Sequence, residues 1–432
     1  MGVTDRGAGG RTYDRPVVSP FMPDPEKVAA IRTLLPATGA GIYLNAGSAG
    51  PMPAETQLAM DELAARELAV GRASPEGFEE IHQRWAELRA SIAAVIVADP
   101  DDVAMTHSTT DGMNLAINAL PWREGDRVLT TRHEHPGGLG PLLALRARLG
   151  VEVDLLDIGD GEDAERTVEA FRIALERPAR AIVASHVLWT TGAVLPVARI
   201  AALGRDAGAT TIIDGAQSAG AIPIDIESLG VDAYAMPAQK WLLGPEGMGA
   251  LWARRAWADS VVPASAGFIS YETFDHVRPV LRPGARRFEL GFFHRPSVVG
   301  LARSCGWLTM YIGLPWAHER AARLALAAAD RLAGIDGVSL VTPRDAMATL
   351  VTFRIGGWNA ADAVRELSAR TFAIIRDLPP IDAIRISVGF WTTGEELERF
   401  AQGVELLAAN TPESIPPRRT LAVLGSDDSP LR

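Results

Sequence analysis

The chain has 432 residues with 42 basic and 53 acidic side chains, a net charge of −11, which argues against nucleic acid as its main partner. Hydrophobic residues make up 47%, too many for global disorder, and a core of this size needs no disulfides. The single cysteine, Cys305, excludes an intrachain disulfide and a cysteine-built metal cluster, and fits a reducing cytoplasm.

The basic side chains are lopsided. Only Lys27 and Lys240 are lysines; all the others are arginines. Residues 1–25 are rich in Gly, Pro, Arg and Asp and read as a tail. Asp5 and Arg6 stand where an export signal needs an apolar core. Arg6 also fails the Ser or Thr that a myristoylation site at Gly2 requires.

Beyond the tail, short apolar runs alternate with longer helical patterns. Strands are expected over 128–131, 153–156, 181–185, 211–213 and 249–252. Helices are expected over 78–97, 110–119, 138–148, 164–175, 196–207, 316–332 and 395–407. The uncharged run 181–198 holds Ser185, His186, Thr190, Gly192 and Pro196. It therefore reads as strand, loop and helix start, not as a bilayer span. Strand–helix alternation implies an α/β fold with a mostly parallel sheet flanked by helices. In such sheets ligands bind beyond the carboxyl ends of the strands. After residue 300 the pattern becomes a compact α+β unit, with further strands over 349–353 and 383–388 and a helix over 360–368. The expected division is a large domain over 26–300, a small one over 301–410 and a tail over 411–432.

Two cofactor signatures are missing. No G-x-G-x-x-G follows a strand and no P-loop occurs, which argues against a nicotinamide enzyme or a P-loop NTPase. Five other features carry chemistry. Lys240 lies in Met236-Pro-Ala-Gln-Lys-Trp, followed by Gly-Pro-Glu-Gly-Met-Gly, which reads as a loop. A desolvated lysine can become a neutral amine nucleophile, whereas arginine stays charged. Asp214 ends an apolar strand and begins Asp214-Gly-Ala-Gln217. An acid there points into the ligand crevice, although Asp before Gly also suits a turn. Thr106-His-Ser-Thr-Thr110 combines hydroxyls with a helix start. That pattern suits an anion or a plain N-cap. Arg132-His-Glu-His135 follows a strand; its two histidines are only two apart and no third metal ligand is evident. Arg376 and Arg385 offer guanidinium forks for carboxylates, or for surface ion pairs.

Taken together and in this order, these segments, from about residue 42 to residue 407, resemble the fold-type I pyridoxal-phosphate enzymes. Within them the match is to the class V aminotransferase or cysteine-desulfurase-like family. Asp214-Gly-Ala-Gln217, followed 26 residues later by Lys240 and its Gly-Pro-x-Gly-x-Gly, carries the resemblance. It implies pyridoxal 5′-phosphate as cofactor, joined covalently to Lys240, which also shuttles the proton. It gives Asp214 the ring nitrogen, Gln217 the ring hydroxyl and His135 the ring face. Thr109 and Thr110 would cradle the phosphate, with Gln239 nearby. Asn45 and Ala46 would belong to a substrate loop, and Arg376 and Arg385 would bind the substrate carboxylate. A homodimer in the cytoplasm acting on an amino acid, with no metal, nucleic acid or membrane partner, is implied as well.

The departures are informative. Pro237-Ala-Gln239-Lys240 replaces the Ser-x-His-Lys of many members, and Gly291-Phe292 replaces a Gly-Thr that reaches a neighbouring subunit's phosphate. Trp189 stands where desulfurases often carry Asn. No cysteine follows Arg376, which disfavours a persulfide-forming desulfurase. The resemblance then points to β-elimination from a cysteine, cystine or cysteine-sulfoxide substrate by a C–S lyase. The alternative is an aminotransferase or an epimerase like that of isopenicillin N.

Overall fold

The computed structural model describes residues 24–418; the remainder of both expected tails lies outside these residues. Helix α1 spans Asp24–Leu34, so regular structure begins inside the expected tail. Helices α2 (Ala54–Val70) and α3 (Pro75–Ile96) follow. The α/β layer then runs through β1 (Val103–Thr106), α4 (Thr109–Asn118), β2 (Arg127–Thr131), α5 (Pro136–Leu149), β3 (Glu152–Leu156) and α6 (Ala164–Ala174). It continues with β4 (Ala181–Ser185), α7 (Val197–Asp206), β5 (Thr210–Asp214), β6 (Ala233–Pro237) and β7 (Gly249–Ala253).

These seven strands form one sheet in the order β1-β7-β6-β5-β4-β2-β3. All neighbours are parallel except at β7, which is antiparallel to both β1 and β6. Strands β4 and β6 are buried along their whole length, as expected of strands covered on both faces and read as unbroken apolar runs. Separate apolar clusters cover the two faces: Met105, Leu129, Ile182 and Ile213 on one, Val128, Val183, Ile212 and Leu251 on the other.

From β2 the chain passes to β3 on one side, then returns to β4 on the other. The order therefore reverses between β2 and β4, the position where open α/β sheets leave a crevice. Here β2 and β4 pair only at Val128–Ala181 and Leu129–Ile182, whereas β4 and β5 pair along five positions. The two strands separate towards their carboxyl ends.

Helix α8 (Arg295–Gly306) leads to α9 (Leu314–Ala333). A four-stranded antiparallel sheet follows, in the order β8 (Val338–Leu340), β9 (Leu350–Ile355), β11 (Ala383–Ser387), β10 (Arg376–Leu378). It packs against α10 (Ala360–Thr371) and α11 (Gly394–Ala408). Thr393 and Glu396 close the start of α11 with a reciprocal capping box. The small unit is not continuous in sequence. Ile42 and Leu44 join its apolar core, and Ile42–Tyr43 pairs in parallel with Ala373–Ile374. Among the described residues no helix is long and apolar enough to cross a membrane.

Candidate active site

A cleft of about 270 Å³ opens at the carboxyl ends of the central strands, where open α/β sheets bind their ligands. Lys240, Thr109, Thr110, His135, Asp214, Gln217, Gln239, Arg376 and Arg385 all line it. They come from strands, a helix start and loops spread over more than 270 residues, gathered by the strand order and by the small unit folding back. Asn45 and Ala46 do not line it; their neighbours Gly47 and Ser48 do. Ala46 is fully buried in the core, and Asn45 Oδ1 accepts a bond from Ser48 Oγ at 2.9 Å.

Asp214 ends β5, and its Oδ1 accepts the Ala216 amide at 2.8 Å. Burial raises its carboxyl above the ordinary range, while the Lys240 charge and the Ala216 amide oppose this. Lys240 follows β6 in a tight turn that places Leu243 at φ 56°, a left-handed conformation costly for a branched side chain. Gly50 lies against the Lys240 carbonyl so closely that a Cβ would clash. Burial pushes the Lys240 amine down to about 8; Asp214 acts the other way, and Arg385 and Arg376 add to the depression. A substantial neutral fraction at physiological pH is what an amine nucleophile needs.

His135 caps α5, its Nδ1 accepting the Gly137 amide at 3.0 Å. Burial, then the charges of Lys240, Arg376 and Arg385, push it down to about 4. It is therefore a neutral ring whose proton sits on Nε2. Trp189 packs against it in a T-shaped arrangement, the ring centres 5.2 Å apart. Gln217 is held at both ends of its amide: Nε2 donates to the Gly47 carbonyl at 2.9 Å, and Oε1 accepts from Trp241 Nε1 at 3.1 Å. One N–H of that amide remains for a ligand.

The phosphate reading of the α4 start divides between two side chains. Ser108 is the N-cap, accepting the Asp111 amide at 3.1 Å. Thr109 Oγ1 is buried with no partner. Arg385 is likewise buried, donating Nη1–H to the Trp189 carbonyl while Nε and Nη2 lack partners. Arg376 reaches Ser48 Oγ at 3.3 Å. Neither arginine pairs with a carboxylate among the described residues. Unpartnered buried donors are costly and rare. Thr109 and Arg385 both line the cleft, and their open donors fit a ligand rich in acceptor oxygens, with a phosphate at Thr109 and the α4 amides and a carboxylate at Arg385. Together with the buried Lys240–Asp214 pair and a flat neutral His135, these residues suit pyridoxal phosphate.

Gly47 and Ser108 belong to the loop and the helix start that the sequence singles out; Ser48 and Ala216 were missed as lining residues, and Trp189 had no role. Position directly after a strand is the signal for Ala216; Gly47 and Ser48 depend on a contact with a distant part of the chain. His133 and His135 diverge. His133 turns to Thr190 Oγ1 at 2.9 Å and the Gly159 carbonyl at 2.7 Å, away from the cleft.

Comparison with known proteins agrees with this geometry. The family model described as aminotransferase class-V matches residues 42–400. A probable cysteine desulfurase 2 of Mycobacterium leprae is 30% identical over 84% of this chain and 90% of its own length. An isopenicillin N epimerase of Streptomyces clavuligerus is 28% identical over 85% of this chain and 94% of its own. Two solved structures of C-DES superpose with TM-scores of 0.81 and 0.79, at 25% and 26% identity. They cover 87% and 86% of this chain and 98% and 99% of theirs. One is a lysine-to-alanine variant with glycine covalently linked to its PLP cofactor; the other is described as a cystine C-S lyase with its reaction product, cysteine persulfide.

Proposed function

The chain belongs to the aminotransferase class-V family, and from that premise we propose that it is a pyridoxal-phosphate-dependent C–S lyase acting on a cystine-type amino acid. The observation that carries this reading is the pair of guanidinium groups, Arg376 and Arg385, that border the cleft with no carboxylate partner. One substrate carboxylate would neutralise one of them. A substrate with two carboxylates, as cystine has, neutralises both. Cys305 supports elimination over persulfide formation on the protein. It is fully buried in α8, and burial pushes its thiol up to about 12, so it has almost no thiolate at neutral pH.

When bound, pyridoxal phosphate supplies an electron sink for negative charge at the substrate α-carbon. The rest is done by this chain's residues. Thr109, Thr110 and the α4 amides would hold the phosphate, with Gln239 beside them. Asp214 would keep a proton on the ring nitrogen, and the free N–H of Gln217 would serve the ring hydroxyl. The neutral ring of His135 would offer a flat partner to the cofactor ring. Lys240 would anchor the cofactor through its neutral amine and, once the substrate amine has displaced it, would take the α-proton at Nζ. Arg385 holds the α-carboxylate through its open Nε and Nη2. Loss of the α-proton and departure of sulfur from the β-carbon leave pyruvate and ammonia after hydrolysis, with the sulfur fragment released as thiol or persulfide.

The test is pyruvate release from cystine and cysteine sulfoxides, with Lys240→Ala as control. Pyruvate no higher than the control defeats the lyase reading. The Streptomyces relative favours a second reading on the same site, epimerisation or transamination. Deuterium entering Cα with an inverted product, or an amino group left on the cofactor, would establish that one instead.

A further inference from the structure

Glu134 immediately precedes His135 and is only 5% exposed. It stands where β2 and β4 separate. Thr131 Oγ1, at the end of β2, donates to Glu134 Oε1 at 2.6 Å. Ser185 Oγ, at the end of β4, donates to Oε2 at 2.6 Å. The carboxylate thus spans the gap left by the missing ladder. No basic side chain pairs with it among the described residues.

A second carboxylate lies close by. Ser185 is the register partner of Asp214 on β5. Burial first, and then the Asp214 charge, raise Glu134 to about 7, against the hydroxyl bonds that lower it. The other titratable groups at this end of the sheet leave its charge uncompensated. His186, directly after Ser185, turns to the Tyr234 hydroxyl at 2.9 Å and is pushed by burial down to about 4. His135 is also neutral. His133 spends both ring nitrogens on Thr190 and Gly159, and Arg132 is exposed. Lys240, beyond β6, carries the charge that favours ionised Asp214.

We propose that Glu134 is a positioning residue for the cofactor: it clamps the splayed ends of β2 and β4, and its proton decides whether Asp214 is the only negative charge at the floor of the cleft. With Glu134 neutral, Asp214 ionises alone. With Glu134 ionised, the like charge raises the proton affinity of Asp214 and of any group bonded to it. Cofactor affinity is then linked to the Glu134 proton. This inference rests on the pyridoxal-phosphate reading of the site.

The test measures the dissociation constant of pyridoxal 5′-phosphate for the apoprotein, from quenching of tryptophan fluorescence, between pH 5.5 and 8.5. The wild-type value is divided by that of Glu134→Gln, an isosteric change that removes the titrating proton and turns one acceptor oxygen into an NH2 donor, which the rotatable Ser185 hydroxyl can accept. The ratio should step around pH 7. Ser185→Ala keeps the acid but removes a donor to its charged form, so the same step should move to higher pH. A ratio flat with pH overturns the proposal, and so does a step that Ser185→Ala leaves in place. If Glu134→Gln does not fold, the wild-type to Ser185→Ala ratio carries the test, and a flat ratio overturns the proposal. If the wild type binds no pyridoxal phosphate at any pH, the cofactor reading itself fails. Binding without a Glu134-dependent step defeats this inference alone.

Discussion

Arg385 gives Nη1–H to the main-chain carbonyl of Trp189 at 2.9 Å and keeps Nε and Nη2 without a partner inside the protein. A buried charge held by one neutral bond costs stability, because burial and the Arg376 charge both disfavour its protonated form. In the proposed function such a group is completed by the substrate carboxylate. Arg385→Met should therefore stabilise the ligand-free protein by about 1–4 kcal/mol, seen as a higher thermal midpoint. It should also lower kcat/KM for a carboxylate substrate by roughly 100-fold, about 3 kcal/mol. Arg385→Lys keeps the charge but loses the fork, and should fall between the two. Calorimetry of the apoprotein with steady-state kinetics checks both directions; a less stable Met variant would show that Arg385 is structural.

Lys240 makes a pH prediction. Its amine is pushed down to about 8, so its neutral fraction rises about fivefold between pH 7 and pH 8. Covalent capture of pyridoxal phosphate by the apoprotein should accelerate over that interval and level off above it. Stopped-flow absorbance reads the rate, and Lys240→Arg should show no capture. The same shift affects stability. Between about pH 8 and the ordinary lysine value the unfolded chain holds a proton that the folded chain lacks. Apoprotein stability from this group therefore rises with pH across that window, by at most about 3 kcal/mol, and is lost as pH falls through 8. Lys240→Met should flatten that rise in denaturant titrations.

Cys305 bears on the reaction class. Its side chain is buried against the large core, and Cys305→Ala removes one sulfur from that packing. The variant should lose about 1 kcal/mol of stability and no activity. Thiol-blocking reagents should leave the wild-type rate unchanged, and mass spectrometry of protein turning over cystine should show no persulfide on this chain. A Cys305→Ala variant without activity would instead favour desulfurase chemistry.

Several of these residues were legible before folding because their signals are local. An apolar run ending in Asp214, one of only two lysines in an arginine-rich chain and hydroxyls at a helix start each fit inside a few residues. The elements that were missed have physical reasons. β1 has only four residues. β6 is alanine-rich and ends in Pro237, so propensity spoke against it. α2 buries only Thr56 and Ala59, which leaves its helical period faint. The roles of Gly47 and Glu134 were hidden for another reason. A Cβ on Gly47 would lie 2.8 Å from both Arg385 Nη2 and Ser387 Oγ, a constraint created by contact across more than 330 residues. Glu134 gains its role only because two strands part beside it.

Lys27, the chain's other lysine, makes the last prediction. It lies in α1, fully buried, with Nζ donating to the Ile312 carbonyl at 2.6 Å and placed 3.9 Å from the centre of the Trp316 ring. Ile312 closes a π-helical turn, Trp307–Ile312, that joins α8 to α9. Asp24 on the same helix accepts from Trp316 Nε1 at 2.6 Å. Two side chains one helical turn apart therefore fix α1 against the segment that links the large and small units. Desolvation lowers the Lys27 amine, and Asp24 opposes it. A desolvated cation–π contact is worth about 2 kcal/mol and a buried hydrogen bond about 1–3 kcal/mol. Lys27→Ala should thus cost roughly 3 kcal/mol in urea unfolding. Lys27→Arg should recover part of the ring contact but not the carbonyl geometry. Because Lys27 does not line the cleft, pyridoxal phosphate affinity should change less than twofold at temperatures where both variants are folded. A large loss of affinity in folded Lys27→Ala would mean that α1 transmits to the site.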